Sequence, residues 1–384
     1  MSIYTDKRIV MTLDAGGTNF VFSAIQGGEE IVDPIIMESN AHNLDQCLRT
    51  IITGFEQVKS RLPEAPIAIS FAFPGPADYR AGIIGKLPNL PAFKDGGIAL
   101  GPMLEDYFKL PTFIGNDGNL FAYAEAMAGA LPYINGCLFE RNVSKRYSNL
   151  LGITLGTGFG AGLVVNNTLC EGDNFAGGEI WLSRSIVNPA MFAEAQMSTK
   201  AIQMAYAQKS GNTDSRLMPK DISEIAQGIK PGNRSAALEV FNEVALVIAE
   251  SLCHAVTLID GIIVIGGGIS GAYSLLIPKI IEHMNGTIQT LDGRHIPRLV
   301  SKVYDLEDKQ SFEQFLSYKD QEVEVPFSNR KVPYESEKRI GIIKSRIGTN
   351  RAISIGAYTI ALHRLPQHIS TAEQDLKLTK SSIL

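Results

Sequence analysis

The sequence predicts an α/β protein with two domains of related architecture. Its 384 residues exceed what a single hydrophobic core usually holds, which favours two domains. Strand-like segments alternate with helical stripes, and the order apolar strand, glycine-rich turn, apolar strand occurs at residues 8–25 and again at 149–165. Little sequence identity links the two segments, so we infer a degenerate duplication of architecture.

In the first half, residues 8–25 are predicted to form a β-hairpin around a glycine turn at residues 14–19. A helical stripe of apolar residues covers residues 44–62 and ends before Pro63. The pattern then predicts strands at residues 66–73 and 112–114 and a helix at residues 119–130.

The second half repeats the hairpin and continues with longer helices. Strands are predicted at residues 149–155, 161–165 and 262–265, and helices at residues 191–209, 221–226, 235–259 and 271–284. Residues 294–351 are charged and less periodic, and are predicted to be an insertion. A final apolar helix at residues 352–362 precedes a loose polar tail.

Composition excludes several classes of function. The net charge of -5 provides no global positive field for a nucleic-acid backbone. No apolar run approaches the roughly 18 residues that span a bilayer, and the N-terminal residues are too few and too polar for a signal peptide. We therefore expect a cytoplasmic protein without membrane or nucleic-acid partners. Its four cysteines form no C-x-x-C pair, which predicts reduced thiols: Cys47, Cys137, Cys170 and Cys253.

The turn at residues 14–19 has the composition of an anion-binding turn. Gly16 and Gly17 allow successive N–H groups to converge on one point, and the Thr18 hydroxyl adds a donor. The Asp14 carboxylate fits beside a phosphate when a divalent cation or its water lies between them. An ordinary hairpin turn, which favours the same residues, is the alternative.

Two further glycine turns occur at residues 156–160 and 266–271. Alternating glycines between apolar strands indicate close approach of a ligand or of another backbone, and a bulged hairpin is the alternative for the first of them. The second matches G-x-G-x-x-G, so a dinucleotide-dependent oxidoreductase is a candidate. That fingerprint also needs an acid at the end of the next strand, and Asp292 follows a poor strand. We therefore expect a different nucleotide at this turn.

Several motifs appear in an order that resembles the ROK family of bacterial sugar kinases and related repressors, within the actin-like sugar-kinase superfamily. The resemblance covers roughly residues 8–290 and resumes at residues 352–362. The motifs are Asp14-Ala-Gly-Gly-Thr-Asn, Phe73-Pro-Gly-Pro-Ala-Asp, Leu87-Pro-Asn-Leu, Gly115-Asn-Asp-Gly-Asn, Leu155-Gly-Thr-Gly-Phe-Gly-Ala-Gly, Phe175-Ala-Gly-Gly-Glu-Ile and Gly266-Gly-Gly.

The resemblance implies two actin-like (ribonuclease H-like) α/β domains with a nucleotide and sugar cleft between them. The predicted small domain comprises residues 1–120 and 352–366, and the large domain residues 121–351 with the insertion near 294–351; residues 367–384 are the tail. The implied function is a glucokinase-like, ATP-dependent kinase that phosphorylates a hydroxyl group of a hexose or N-acetylhexosamine. Mg²⁺ and a homodimer are implied as well.

The resemblance also assigns roles to individual residues. Asp117 matches the catalytic base, and a single carboxylate beside neutral amides suits that role, because the amides do not compete for the proton. A helix N-cap is the alternative role for Asp117, and a plain surface acid is the alternative for Glu179. The implied sugar contacts are Gly75, Asn89, Asn116, Asp117 and Glu179. The implied nucleotide contacts are Asp14, Gly16, Gly17, Thr18, Asn19, Gly156, Thr157, Gly158, Gly266, Gly267, Gly268 and Ile269.

The sequence departs from the family after Gly178-Glu179-Ile180. Many members continue with Gly-His and a C-x-C-G-x-x-G-C cluster that binds structural zinc. Here Leu182 has the histidine position and the next cysteine is Cys253, so we predict no structural zinc and no other metal ligands in the chain. Trp181 is a candidate to replace the histidine by stacking on a sugar, or is a core residue. A non-catalytic sugar- or nucleotide-sensing protein is therefore the alternative function. The first strand is predicted to begin about eight residues into the sequence, so we do not expect the repressors' DNA-binding module before it.

Overall fold

The structure is a computed structural model that describes residues 3–87, 90–211, 216–318 and 321–381, with backbone alone for residues 270 and 366–381. The chain forms two compact units. Unit 1 comprises residues 1–128, 171–177 and 347–384, and unit 2 comprises residues 129–170 and 178–346. Within the described residues, no helix has the length and apolar character needed to cross a membrane.

Unit 1 contains nine strands and four helices among its described residues. The strands are β1 (Val10–Ala15), β2 (Asn19–Gln26), β3 (Glu29–Glu30), β4 (Ile35–Glu38), β5 (Ala68–Ala72), β6 (Ala77–Asp78), β7 (Ile83–Ile84), β8 (Ile98–Ala99) and β9 (Thr112–Gly115). The helices are α1 (Leu44–Arg61), α2 (Leu100–Phe108), α3 (Asp117–Met127) and α11 (Thr349–Ser381).

The main sheet of unit 1 has the order β3-β2-β1-β5-β9, with β4 also paired to β2. β1 and β2 are antiparallel, whereas β1, β5 and β9 are parallel to one another. Helix α1 covers one face of the sheet, and its Phe55 ring packs edge-on against Phe22 with ring centroids 5.2 Å apart. The Asn43 side chain caps the N-terminus of α1 by accepting from the Gln46 N–H. The apolar stripe of α1 therefore forms a helix as predicted, with its buried side against the sheet.

The same sheet also packs against the C-terminal helix. The Ser70 hydroxyl of β5 donates to the Ala357 carbonyl of α11 at 2.7 Å. Helix α11 also crosses α3 at very short range, because a Cβ added to Gly356 would lie 2.1 Å from the Leu120 carbonyl oxygen. This backbone-to-backbone contact keeps α3 with unit 1, although the sequence places residues 121–127 in the other domain.

Unit 2 contains ten strands and seven helices among its described residues. The strands are β10 (Leu150–Leu155), β11 (Phe159–Val165), β12 (Thr168–Leu169), β13 (Ile262–Gly266), β14 (Thr287–Gln289), β15 (His295–Pro297), β16 (Lys302–Asp305), β17 (Gln321–Glu324), β18 (Lys331–Tyr334) and β19 (Arg339–Lys344). The helices are α4 (Ala130–Glu140), α5 (Glu194–Met197), α6 (Thr199–Ser210), α7 (Pro219–Ala226), α8 (Arg234–Ile259), α9 (Tyr273–Met284) and α10 (Lys309–Leu316).

The main sheet of unit 2 has the order β12-β11-β10-β13-β19-β16. Its antiparallel strands β12, β11 and β10 are followed by the parallel strands β13, β19 and β16. Unit 1 has the same arrangement of an antiparallel hairpin followed by parallel strands. The two sheets therefore share the architecture that the two glycine-turn hairpins predict.

Residues 294–351, predicted to be an insertion, include an interior strand of this sheet. β19 lies between β13 and β16, and its Ile342 and Ile343 side chains are fully buried. The apolar run of β19 is short and flanked by charged residues, so its periodicity is weak. Helix α11 also differs from expectation, because it continues to Ser381 through the predicted tail, where residues 372–380 are mostly good helix formers.

The α3–α11 contact predicts a difference between two glycine substitutions within helices. Gly356→Ala places a methyl group 2.1 Å from the Leu120 oxygen, which lowers the free energy of unfolding by about 1–3 kcal/mol. Gly136 of α4 is exposed, and no described atom lies within 4 Å of the position that a Cβ would take there. Gly136→Ala therefore raises the free energy of unfolding by about 0.4–1 kcal/mol. Urea unfolding followed by circular dichroism measures both. Equal stability of the two variants would contradict the close helix contact.

Candidate functional site

The parallel strands of unit 1 end in one row. Asp14 of β1 lies opposite Ala72 of β5, and Ala72 lies opposite Gly115 of β9. Adjacent strands are about 4.8 Å apart, so the segments that follow them emerge side by side at one edge of the sheet. These segments are the glycine turn after β1, the segment with Gly75 after β5, and Asn116-Asp117 after β9. The structure therefore brings these predicted site residues of unit 1 together.

The turn after β1 is held from one side by Ser39. The Ser39 hydroxyl donates to the Gly17 carbonyl at 2.8 Å, and its N–H donates to the Thr18 carbonyl at 2.9 Å. Because the C=O and N–H of a trans peptide point in opposite directions, the Thr18 N–H points away from Ser39. Asp14, Gly17, Thr18 and Asn19 are exposed, so the turn presents donors and a carboxylate to solvent. Ser39 has no local sequence signal that links it to this turn.

The two glycines of this turn differ in what surrounds them. A Cβ on Gly16 would lie 2.6 Å from the Asn19 carbonyl oxygen, so the fold itself requires glycine there. Nothing described lies within 4 Å of the Cβ position of Gly17. The absence of a side chain at Gly17 therefore leaves open space at the exposed face of the turn, where a ligand can approach the backbone closely.

Asn116 and Asp117 share one backbone donor at the start of α3. Asn116 Oδ1 and Asp117 Oδ1 each accept from the Gly118 N–H at 2.8 Å. Asn116 is the N-cap, whereas Asp117 is the first residue of the helix, where a negative charge interacts favourably with the helix dipole. The two side chains are thereby oriented, with the Asn116 amide as a donor and the exposed Asp117 carboxylate as an acceptor.

The other two sugar contacts predicted in unit 1 are at residues 75 and 89. Gly75 lies close to Tyr79, whose hydroxyl donates to the Phe73 carbonyl at 3.1 Å and would be 2.9 Å from a Cβ on Gly75. Asn89 lies outside the described residues. Tyr79 thus fixes the segment after β5 beside the row of strand ends.

Unit 2 has a second edge of the same kind. Thr154 of β10 lies opposite Gly266 of β13, so the turns that follow these parallel strands are neighbours. Gly267 has a φ of +90°, and a Cβ there would lie 2.3 Å from the Leu155 carbonyl oxygen, so the two turns touch through their backbones. Gly268 is exposed with nothing described within 4 Å of its Cβ position. The Ile269 side chain is buried, so its ligand contacts would come from its main chain.

A carboxylate that the sequence analysis missed lies on the turn at residues 156–158. Glu194 Oε2 accepts from the Phe159 N–H at 2.8 Å, and would be 2.6 Å from a Cβ on Gly158. The Thr199 N–H and hydroxyl both donate to the Gly156 carbonyl at 3.0 Å. The exposed Thr157 lies between these contacts. No motif spacing links Glu194 or Thr199 to the turn, because they reach it from the α5–α6 region.

Glu179 is exposed, and its partner is the next aromatic residue. The Trp181 indole Nε1–H donates to Glu179 Oε2. The half-buried Trp181 ring packs edge-on against Phe192 with centroids 5.6 Å apart, and also contacts the apolar core of unit 2. Leu182, at the histidine position, is 57% exposed. Trp181 thus supplies a ring N–H donor to Glu179 where the family pattern has a histidine nearby.

The dinucleotide alternative does not fit the structure. Asp292 lies in the β14–β15 hairpin, where Arg294 Nε is 2.7 Å from its carboxylate. β14 and β15 are antiparallel and form a separate two-stranded sheet. A dinucleotide fingerprint needs its acid at the end of the next parallel strand, so the turn at residues 266–268 belongs to a different type of site.

Comparisons with known proteins identify the family and the fold of the chain. The model of the ROK family matches residues 10–302. A crystal structure of glucokinase from Parabacteroides distasonis ATCC 8503 is similar with a TM-score of 0.86 and 53% identity, over 94% of this chain and 99% of that chain. Glucokinase from Halalkalibacterium halodurans is 26% identical over 304 residues, 72% of this chain and 85% of the relative. N-acetyl-D-glucosamine kinase from Photobacterium profundum is 25% identical over 308 residues, 75% of this chain and 92% of the relative. The predicted family and its two-domain actin-like α/β fold are confirmed.

The contacts of the turn at residues 266–268 predict different effects on stability for two neighbouring glycines. Gly267→Ala forces a positive φ on alanine and a clash with the Leu155 backbone, so it lowers the free energy of unfolding by about 1–3 kcal/mol. Gly268→Ala meets only open space and changes stability by less than about 0.5 kcal/mol. Denaturant unfolding of the two variants measures this difference. Destabilisation by Gly268→Ala as large as that by Gly267→Ala would show that Gly268 is required by the fold.

Proposed function

Because the chain belongs to the ROK family, we propose that it is a glucokinase-like sugar kinase, which transfers the γ-phosphoryl group of ATP to a hydroxyl of a hexose or N-acetylhexosamine. The observation that carries this proposal is the parallel register of Asp14, Ala72 and Gly115. It joins a phosphate-type turn and an oriented carboxylate at one sheet edge. The similarity to the Parabacteroides distasonis glucokinase over nearly the whole of both chains supports the same function. We further propose that it acts in the cytoplasm as a homodimer.

Three glycine turns are proposed to bind ATP: two contact its phosphates and one contacts its adenosine. The turn with Gly17 and Thr18 offers backbone and hydroxyl donors to phosphate oxygens, and the turn at residues 156–158 does the same in unit 2. The open Cβ position of Gly268 suits close approach of the adenosine. The exposed Asp14 carboxylate is an oxygen ligand of the kind that Mg²⁺ takes directly or through water. Bound Mg²⁺ would neutralise charge on the phosphates of ATP.

The proposed chemical step depends on Asp117. Its Oδ1 is held by the Gly118 N–H, so Oδ2 is the oxygen that accepts the proton of the attacking sugar hydroxyl. The hydroxyl oxygen then bonds to the γ-phosphorus as the bond to the ADP leaving oxygen breaks. Asn116, held by the same N–H, keeps its amide NH₂ for a sugar hydroxyl. We propose Gly75, Asn89 and Glu179 as the other sugar contacts.

The proposal predicts that Asp117→Asn removes turnover while it preserves the fold. Asparagine keeps an oxygen that accepts from Gly118 N–H, but it cannot take a proton, so kcat falls by about 10²–10⁴-fold and sugar affinity is retained. Coupled ADP release measures kcat, and calorimetry measures sugar binding. The control is Asp106→Asn, which neutralises an exposed acid of α2 in the same unit and keeps wild-type kcat.

The same assay identifies the sugar and tests the function. Purified protein with Mg-ATP is screened against glucose, fructose, mannose and their N-acetylated amine derivatives. We expect sugar-dependent ADP release with at least one of them. If none of these sugars stimulates ADP release by folded protein, the kinase proposal is rejected, and wild-type kcat in Asp117→Asn would reject the base assignment alone.

A second prediction concerns the Trp181–Glu179 hydrogen bond. Trp181→Phe keeps an aromatic ring but loses the N–H donor, so Glu179 loses its fixed orientation and the KM for the sugar rises about 2- to 10-fold with little change in kcat. Steady-state kinetics with varied sugar measures the effect. Phe192→Leu is the control, because it removes the ring packed on Trp181 and keeps the donor. An unchanged KM in Trp181→Phe would show that this bond does not orient a sugar ligand.

A non-catalytic sugar or nucleotide sensor is the second candidate function. It is favoured by Leu182, because an exposed apolar side chain at the histidine position cannot hydrogen-bond to a sugar. Sugar binding detected by calorimetry, together with no ADP release in the coupled assay, would support the sensor function. The oriented Asp117 favours the kinase, because binding alone does not need a proton acceptor there.

A further inference from the structure

A cluster of three metal-ligand types lies between α8 and α9 in unit 2. Glu250 and Cys253 are one turn apart on α8, so they share a helix face, and His283 is in the last turn of α9. One ligand atom from each, a carboxylate oxygen, the Sγ and a ring nitrogen, lies within 4.8 Å of the other two. We call these three residues the α8–α9 cluster.

We propose that the α8–α9 cluster binds a Zn²⁺ ion. A thiolate, an imidazole and a carboxylate are the three side chains that Zn²⁺ takes in proteins, and they bind it at about 2.0–2.3 Å. Ligand atoms that already lie within 4.8 Å of one another need only small side-chain movements to surround one ion. The expectation of no zinc and no metal ligands rested on the missing cysteine-rich motif of the family. This ligand set differs from that motif and lies on other elements, so the spacing of residues along the chain does not reveal it.

The carboxylate of Glu250 is oriented for this role. Arg298 Nη2 donates to Glu250 Oε1 at 2.8 Å and Arg298 Nε donates to Oε2 at 3.4 Å, while Oε2 is 2.8 Å from His283 Nε2. An ion between Oε2 and His283 Nε2 replaces the hydrogen bond to His283 and the long Nε contact, and leaves the shorter contact of Arg298 with Oε1 in place. Arg298 then acts as the outer partner that fixes a carboxylate bound through one oxygen, as is usual around protein metal sites.

Cys253 supplies the soft ligand. Its side chain is fully buried, and burial raises the pKa of the thiol to about 11. Binding as a thiolate therefore releases one proton to solvent for each Zn²⁺ bound, and the ion compensates the buried negative charge. His254 Nε2 is 3.4 Å from Glu250 Oε1, the oxygen that Arg298 holds, so His254 is not one of the three proposed ligands.

The location gives the ion a structural role. Helix α9 starts at Tyr273, shortly after the glycine turn at residues 266–268, and His283 lies in its last turn, about 15 Å further along the helix axis. The α8–α9 cluster is therefore separate from the turn proposed to bind nucleotide. A bound ion cross-links α8 to the last turn of α9, which stabilises unit 2 whether or not the kinase proposal holds.

A cobalt titration tests the proposal. Reduced full-length protein is freed of metal by chelator and desalting, then titrated with Co²⁺. We expect one Co²⁺ per chain with a sulfur-to-cobalt charge-transfer band, and displacement by equimolar Zn²⁺, which binds such ligands more tightly. Cys253→Ser abolishes the band, and His283→Gln moves the titration midpoint to higher Co²⁺. The control Cys137→Ser, which removes a partly exposed thiol of the same unit, keeps the band.

Two results would overturn the proposal. One is the absence of stoichiometric Co²⁺ binding by the wild-type protein, and the other is a charge-transfer band that persists in Cys253→Ser. If Cys253→Ser does not fold, His283→Gln decides the question, because an unchanged midpoint excludes the α8–α9 cluster. Thermal unfolding gives an independent readout: Zn²⁺ raises the melting temperature of the wild-type protein and not that of His283→Gln.

Discussion

The parallel register of β1, β5 and β9 is the constraint on which the unit 1 part of the candidate site depends. It places Asp14 opposite Ala72 and Ala72 opposite Gly115, so the segments after the three strands start at the same level. A slip of one residue in β9 would move Asp117 by about 3.3 Å along the strand direction and turn the preceding side chains to the other face. Proton transfer requires contact within hydrogen-bond distance, so in the proposed reaction this pairing decides whether Asp117 can reach the sugar hydroxyl.

Glycines at the site serve two distinct purposes. Gly16 and Gly267 are required by the protein itself, because any Cβ would collide with nearby backbone. Gly17 and Gly268 are surrounded by open space and expose backbone to a ligand. The turns at residues 14–19 and 266–268 each pair one glycine of each kind, which shapes the turn and leaves one face open. The turn at residues 156–158 is shaped by Glu194, whose carboxylate accepts from the Phe159 N–H.

Local patterns predicted much of the fold, and contacts between distant segments explain most of what they missed. The apolar stripes of α1 and α8 and the two glycine-turn hairpins appear in the structure, because periodicity and turn composition are local properties. The apolar pattern did not predict β19, because charged residues flank its short apolar run, although it is an interior strand of the sheet. Ser39 and Glu194 reach their turns from 22 and 35 residues away, and no spacing rule connects them. The family motifs predicted Asn116 and Asp117 as site residues, and in the structure both side chains accept from the Gly118 N–H.

In the proposed reaction, the oriented carboxylate of Asp117 directs phosphoryl transfer to a sugar hydroxyl and not to water. Phosphorus NMR of a reaction with Mg-ATP and the preferred hexose tests this most directly, because it distinguishes the products. We expect a sugar phosphate monoester equimolar with ADP, and no comparable accumulation of inorganic phosphate. Inorganic phosphate as the main product, at the same rate with and without sugar, would contradict it.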